Sequence, residues 1–278
     1  MKKYFFTSIF LFVLLAYPAL SQKNRTIYTN IDKHYDRGIR LFKFEDYESA
    51  IEEFNNVLIF LPNDVNTLLL RGRSWYNLND YQNALNDFNT VLIIDMYVVE
   101  GFMNRALTKL MLKDTIGAFS DIDTAIKLDP KNVELFRIRG FINASINDYL
   151  KSNEDYTKII QLNSKYIQAY LSRGFNKDLL KDFEGAIKDY SAAINLDPKN
   201  IIALNNRGFT KINKGDYLAA IIDLNKALEL DSTFTFAYNN RGNAKFELSD
   251  KSGACQDWEI AAKLESKEAK ESFEKHCQ

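Results

Sequence analysis

From Ile31 to residue 268, small and large apolar positions return every 34 residues, in seven periods: 31–64, 65–98, 99–132, 133–166, 167–200, 201–234 and 235–268. Each period reads as a helix, a polar turn and a second helix. The eighth position is Gly38, Gly72, Ala106, Gly140, Gly174, Gly208 and Gly242, and the twentieth is Ala50, Ala84, Ala118, Ser152, Ala186, Ala220 and Ala254. A glycine inside a helix costs about 1 kcal/mol relative to alanine, so its recurrence points to close packing. The expectation is that positions 8 and 20 face each other where the two helices approach. Between the helices a turn signal returns in Glu45-Asp46-Tyr47, Asn79-Asp80-Tyr81, Asn147-Asp148-Tyr149, Lys181-Asp182-Phe183 and Gly215-Asp216-Tyr217. Its Asp suits a helix N-cap and its aromatic a buried position. The second helices of two periods end in LDPKN, Leu128 to Asn132 and Leu196 to Asn200, where Pro cannot continue a helix.

The two ends of the chain depart from this pattern. Lys2 and Lys3 precede an apolar run, Tyr4 to Tyr17, and then Pro18 and Ala19-Leu20-Ser21. A charged start, an apolar centre and a small-residue ending predict a secretory signal peptide over 1–21. The alternative is an uncleaved anchor, for which the run falls short of the roughly 20 residues that span a bilayer. Gln22 to Asn30 (22–30) is polar and aperiodic, a short leader. After residue 268, Ala269, Phe273 and Cys277 fall at i, i+4 and i+8, one stripe of an otherwise polar helix. The expectation is a capping helix over 269–278 covering the last period's open face.

In 167–200, Tyr170, Gly174, Phe183, Ala186, Tyr190, Ala193 and Pro198 stand at positions 4, 8, 17, 20, 24, 27 and 32. This spacing resembles the tetratricopeptide repeat, and the six other periods repeat it in register over 31–268. Periods three and four depart most, with Ala106, Thr115 and Ser152 where the pattern has Gly, an aromatic and Ala. The resemblance implies an all-α, right-handed superhelical solenoid of seven tandem helix–turn–helix repeats plus the capping helix, each repeat contacting mainly its neighbours.

Composition changes this picture little. The 278 residues carry a formal net charge of -1, and removal of Lys2 and Lys3 with the signal peptide leaves -3. No basic stripe marks nucleic-acid binding. Charge matters in one place, where the seventh position is Arg in every period: Arg37, Arg71, Arg105, Arg139, Arg173, Arg207 and Arg241. The twenty-third is acidic in every period: Glu53, Asp87, Asp121, Asp155, Asp189, Asp223 and Asp257. The coincidence predicts a structural Arg–carboxylate ladder, within each repeat or from one repeat to the next, because the guanidinium fork matches a carboxylate. The alternative is a basic groove for acidic ligands.

Cys255 and Cys277 are the only cysteines, one in the last repeat and one on the cap stripe. In an oxidising compartment a disulfide between them would staple the cap, closing a loop worth about 3 kcal/mol. Two buried thiols, or a metal site using His276 and Cys277, are the alternatives, the latter weak because neighbouring helical residues point apart. The sequence has no Gly-rich phosphate loop, G-x-S-x-G, H-E-x-x-H or C-x-x-C, and its two histidines, His34 and His276, lie at opposite ends. No enzyme, cofactor or metal site is expected.

Binding remains. The resemblance implies that first helices line a concave face whose positions 2, 5, 6, 9, 12 and 13 meet ligands. Carried onto this chain, those positions include Asn104, Arg137, Phe141, Phe175, Asn205, Asn206, Phe209, Asn239, Asn240 and Asn243. Asn can bond both groups of a peptide unit, and Phe141, Phe175 and Phe209 would form an apolar ridge unless they pack between helices. The Lys that the family's carboxylate clamp needs is missing. The resulting expectation is an exported, periplasmic or extracellular scaffold for protein or peptide partners, with no nucleic acid and no membrane insertion after signal cleavage. The alternatives are an assembly chaperone for unfolded clients and, from another class, a thiol-redox or metal-dependent enzyme using Cys255, His276 and Cys277.

Overall fold

The computed structural model describes residues 30–277. The signal peptide expected over 1–21 lies outside the described residues, as does the leader over 22–30 except residue 30, which already belongs to the first helix. The chain divides between Pro130 and Lys131 into two compact units. The first holds α1 (30–43), α2 (Tyr47–Phe60), α3 (Val65–Asn77), α4 (Tyr81–Ile94), α5 (Val99–Met111) and α6 (Thr115–Leu128). The second holds α7 (Val133–Ser145), α8 (Tyr149–Leu162), α9 (Ile167–Leu179), α10 (Phe183–Leu196), α11 (Ile201–Lys214), α12 (Tyr217–Leu230), α13 (Thr235–Glu247), α14 (Lys251–Lys263) and α15 (Lys267–His276). Among the described residues there are fifteen helices and no strand, so each unit is an all-α solenoid of stacked helix pairs.

Every turn inside a pair is built alike. Position 15 has positive φ in all seven: Glu45, Asn79, Lys113, Asn147, Lys181, Gly215 and Ser249. Only Gly215 is free of the Cβ penalty of that region, so each of the other six turns holds about 1–2 kcal/mol of strain. The Asp that follows offsets part of it by capping the second helix. Asp46, Asp80, Asp114, Asp148, Asp182 and Asp250 each accept from the backbone N–H three residues on, satisfying a donor the helix leaves open. Asp216 is the exception, because its carboxylate takes the Lys214 ammonium at 2.8 Å instead. The aromatic at position 17, expected to be buried, is half-buried in all five copies, since the start of the second helix lies at the rim of the pair.

The small residue at position 8 answers to a different partner from the one expected. A Cβ on Gly38 would lie 2.6 Å from the Phe54 ring, on Gly72 2.6 Å from Phe88, on Gly174 2.9 Å from Tyr190, and on Gly242 2.7 Å from Trp258. All four rings stand at position 24, one turn beyond the alanine at position 20. Glycine is therefore retained to seat a large side chain flat on the first helix. The alanines at position 20 are fully buried, and in the fourth repeat Ser152 there donates to the Gly140 carbonyl at 2.8 Å. Positions 8 and 20 are thus neighbours, but position 24 makes the tight contact.

The last helix starts at Lys267, ahead of the expected boundary at 269, because the Ser266 hydroxyl caps it by accepting from the Ala269 N–H. Ala269 is buried against Ala254, Trp258 and Ala261, with Phe273, Cys277, Tyr238 and Phe246 around them.

Candidate functional site

The charged pairs join within each repeat. The Arg71 guanidinium donates to Asp87 at 2.9 and 2.6 Å, and Arg105, Arg139, Arg173, Arg207 and Arg241 hold Asp121, Asp155, Asp189, Asp223 and Asp257 by the same fork. These six carboxylates are buried. Lys109, Lys177, Lys211 and Lys245, at position 11, approach the same carboxylates at 2.7–2.8 Å, and in the fourth repeat the Asn143 amide does so at 3.1 Å. The third arm of the fork reaches back one repeat: Arg71 to Asn55, Arg105 to Asn89, Arg173 to Thr157, Arg207 to Ser191 and Arg241 to Asn225, all at 2.6–3.0 Å. Each of these Arg residues therefore braces its own helix pair and ties it to the preceding one. The first rung is looser. Arg37, 65 % exposed, meets Glu53 through Nε at 3.2 Å, and His34 Nδ1 takes the other oxygen. With their donors so engaged, the arginines do not form an open basic groove.

What the ladder leaves free is the first-helix surface. In the second unit the ninth-position side chains Phe141, Phe175 and Phe209 are 52 %, 54 % and 43 % exposed, a ridge rather than packing between helices. Phe141 and Phe175 line an open groove of about 670 Å³ with Tyr149, Leu171, Leu179, Ile202 and Asn206. Ser172, Asn176 and Gln168 add polar groups to the same wall. Asn206 lies under the Tyr190 hydroxyl, whose pKa is pushed up chiefly by burial and then by the charge of Asp178. Asp178 itself is raised by burial, although Thr210 donates to it at 3.0 Å.

The amides expected on this face divide. Asn205 and Asn240 are buried, and the Asn240 amide donates to Asn205 at 3.0 Å. They pin α11 to α13 and are not available to a partner, a correction that follows from the helices approaching closely at positions 5 and 6. Asn243 accepts from the Trp258 indole at 3.0 Å and is likewise engaged. Asn239 Oδ1 is buried without a donor. Arg137 is held by Glu134, which keeps its guanidinium pKa above the ordinary value. In the first unit, Asn104 Nδ2 is buried without an acceptor beside a smaller cavity, about 190 Å³, lined also by Arg73, Tyr76 and Asn77. Leu179, Ile202 and Phe236 escaped the residue-by-residue reading, although positions 13 and 2 carry them onto the same face.

Cys255 and Cys277 form a disulfide, with Cα atoms 5.7 Å apart, so neither the thiol pair nor the His276–Cys277 metal site is the observed state. His276 packs against Phe246 with the rings tilted, 4.5 Å between ring centroids. Among the described residues no group of three or more His, Cys, Asp or Glu is placed to hold a metal ion, and no helix is long and apolar enough to cross a membrane.

Comparison with known proteins places this architecture. Residues 180–212 match the family model described as TPR repeat, and residues 201–234 match tetratricopeptide repeat. No curated protein matches the chain. Among solved structures, a tetratricopeptide repeat protein from Parabacteroides merdae is 19 % identical, with a TM-score of 0.64, over 90 % of this chain and 100 % of that one. The C-terminal part of a TPR repeat-containing protein from Cytophaga hutchinsonii is 17 % identical, with a TM-score of 0.71, over 85 % and 98 %. YrrB, described as a TPR protein with an unusual peptide-binding site, is 17 % identical, with a TM-score of 0.55, over 66 % and 95 %. Residues 180–234 are thus matched by sequence to tetratricopeptide repeats, and the same helix pair recurs in register along the described chain.

Proposed function

We propose that the chain is a non-catalytic interaction scaffold whose second unit binds a protein or peptide segment in the groove beside Phe141 and Phe175. The observation that carries this reading is the exposure of three phenylalanines at one position of consecutive repeats, over a groove walled by apolar side chains and amides. Half-exposed rings in a preformed groove gain from burial on binding, and the amide of Asn206 and the hydroxyl of Ser172 can bond a peptide backbone. A peptide ligand is what YrrB is described as having a site for. We further propose export. Its support is the signal-like sequence over 1–21 and the Cys255–Cys277 disulfide, a bond that persists in oxidising compartments. Intact mass of native protein tests export: a species beginning at Gln22 with no alkylatable thiol is expected, and an uncleaved protein with two free thiols would refute it.

The groove is tested by recovering partners from the native source with wild type and with Phe175→Ala. Truncating one anchoring ring should weaken a specific partner about 10- to 30-fold. Equal recovery would refute the groove reading. A chaperone would instead suppress aggregation of chemically unfolded proteins broadly, without preference among them.

A further inference from the structure

The seven repeats act as controls for one another at the solvent-facing edge formed by the ends of the second helices. Position 29 is exposed in every repeat. In the last five repeats it is Lys127, Gln161, Asn195, Glu229 and Lys263, as solvent contact favours. In the first two it is Ile59 and Ile93, 71 % and 84 % exposed. The departure extends to Phe60, the last residue of α2, and to Met96 and Tyr97 in the loop after α4, all more than half exposed. Position 33 shows the same contrast, with Tyr97 in the second repeat against Lys131, Lys165, Lys199 and Lys267 later. Taking ~200 Å² for a large side chain, these five expose roughly 700 Å², above the usual largest patch on a monomer, and exposed apolar surface of that extent marks interaction. Nothing in the fold requires an apolar residue at position 29, where polar residues stand in the five other repeats; position 30, where Phe60 stands, is apolar in all seven repeats, and Phe60 is its most exposed member.

The charges around this patch indicate what it fits. Neither α2 nor α4 contains a Lys or Arg. Repeats one and two, 31–98, hold 6 Lys and Arg against 11 Asp and Glu, with Asp64 and Asp95 in the two loops themselves. An anionic bilayer would be repelled, since surface helices bind it through Lys and Arg. We propose that Ile59, Phe60, Ile93, Met96 and Tyr97 form a second docking surface, for an apolar protein segment flanked by Lys or Arg. The contact is apolar at its centre and steered by opposite charge at its rim. It lies in the first unit, on the ends of second helices and the loop after α4, and is independent of the Phe175 groove.

The probe is a labelled amphipathic helical peptide of Leu and Lys, with a Leu and Glu twin of the same pattern, titrated by anisotropy against the mature chain. The variant Ile59→Gln/Ile93→Gln places at both sites the residue that position 29 carries in the fourth repeat, and its melting curve reports that the fold is kept. The Leu/Lys peptide is expected to bind, to weaken at least tenfold in the double variant and with added salt, and to be unaffected by Phe175→Ala. The Glu twin is expected to bind at least tenfold more weakly. Equal binding of the twins, no binding of the Leu/Lys peptide, or loss in Phe175→Ala alone would overturn the proposal. So would association with phosphatidylcholine/phosphatidylglycerol vesicles, or a concentration-dependent dimer, that the double variant abolishes.

Discussion

Removing one arginine from the ladder should cost very different amounts along the array, and the structure sets the order. Arg173 is 16 % exposed at its side chain, and its partner Asp189 is 3 % exposed. Arg173→Met leaves that carboxylate buried, without two of its hydrogen bonds, and removes the bond to Thr157 in the preceding repeat. Breaking a buried pair in this way costs about 3–5 kcal/mol. Lys177, 2.8 Å from Asp189, stays in place and holds the loss near the lower figure. Arg37→Met removes one 3.2 Å contact of a side chain that is largely in water, and exposed pairs contribute under about 1 kcal/mol. At roughly 2–4 °C per kcal/mol for a chain of this size, the first variant should melt about 6–12 °C lower and the second within about 4 °C of wild type. Because repeat arrays need not unfold in one step, amide exchange of α9 and α10 is the companion measurement. Faster exchange there, with α1 and α2 unchanged, is expected for Arg173→Met. Replacing both partners, Arg173→Met with Asp189→Leu, should recover much of the loss, since no uncompensated carboxylate remains buried. Equal shifts for Arg37→Met and Arg173→Met, or no shift in either, would refute the bracing role.

Three other perturbations have defined outcomes. Reducing the Cys255–Cys277 bond, which spans 22 residues, should destabilise the cap by about 3 kcal/mol, read as faster amide exchange and proteolysis of α14 and α15 with the first unit unaffected. At the strained turns, Lys181→Gly should stabilise by about 0.5–1 kcal/mol, whereas Gly215→Ala, at φ 90°, should destabilise by at least about 1 kcal/mol, both measured by urea midpoint. Asp178 has its pKa raised by burial, so the folded state holds its proton more tightly than the unfolded state. Stability must then fall as pH rises from the ordinary Asp value through the raised one, and Asp178→Asn should flatten the melting-temperature profile in that window.

The repeat was legible because its signals are local or periodic. Glycine recurs at position 8 in six repeats, and Asp at position 16 and the Arg and carboxylate columns recur in all seven at fixed spacing, so sequence alone can count them. Whether Gly174 meets Ala186 or Tyr190 depends on side-chain reach across a helix pair, which spacing does not encode; one turn of helix separates the two answers. The pairing of Arg173 with Thr157 was hidden for a related reason, since position 25 varies among Asn, Asp, Thr, Ser and Glu and only hydrogen-bonding capacity is shared. The burial of Asn205 and Asn240 was equally out of reach. An amide at a ligand-facing position looks the same in sequence whether it meets a partner or another amide 35 residues away.

That division bears on where binding specificity can reside. Positions 7, 8, 16, 20, 23 and 24 are committed to closing each helix pair, and position 25 to joining pairs. Residues there tolerate little change, because each is buried, bonded or seated on a ring. Position 29, and position 9 outside the last repeat where Asn243 holds the Trp258 indole, have no such duty, and repeats differ there: Phe141, Phe175 and Phe209 against Arg73, and Ile59 and Ile93 against Gln161. A ladder that fixes the helix pairs by internal hydrogen bonds leaves these surfaces free to vary independently on each unit. The physical consequence is that partner choice can differ between the first-helix groove of one unit and the second-helix edge of the other, while stability stays with the ladder.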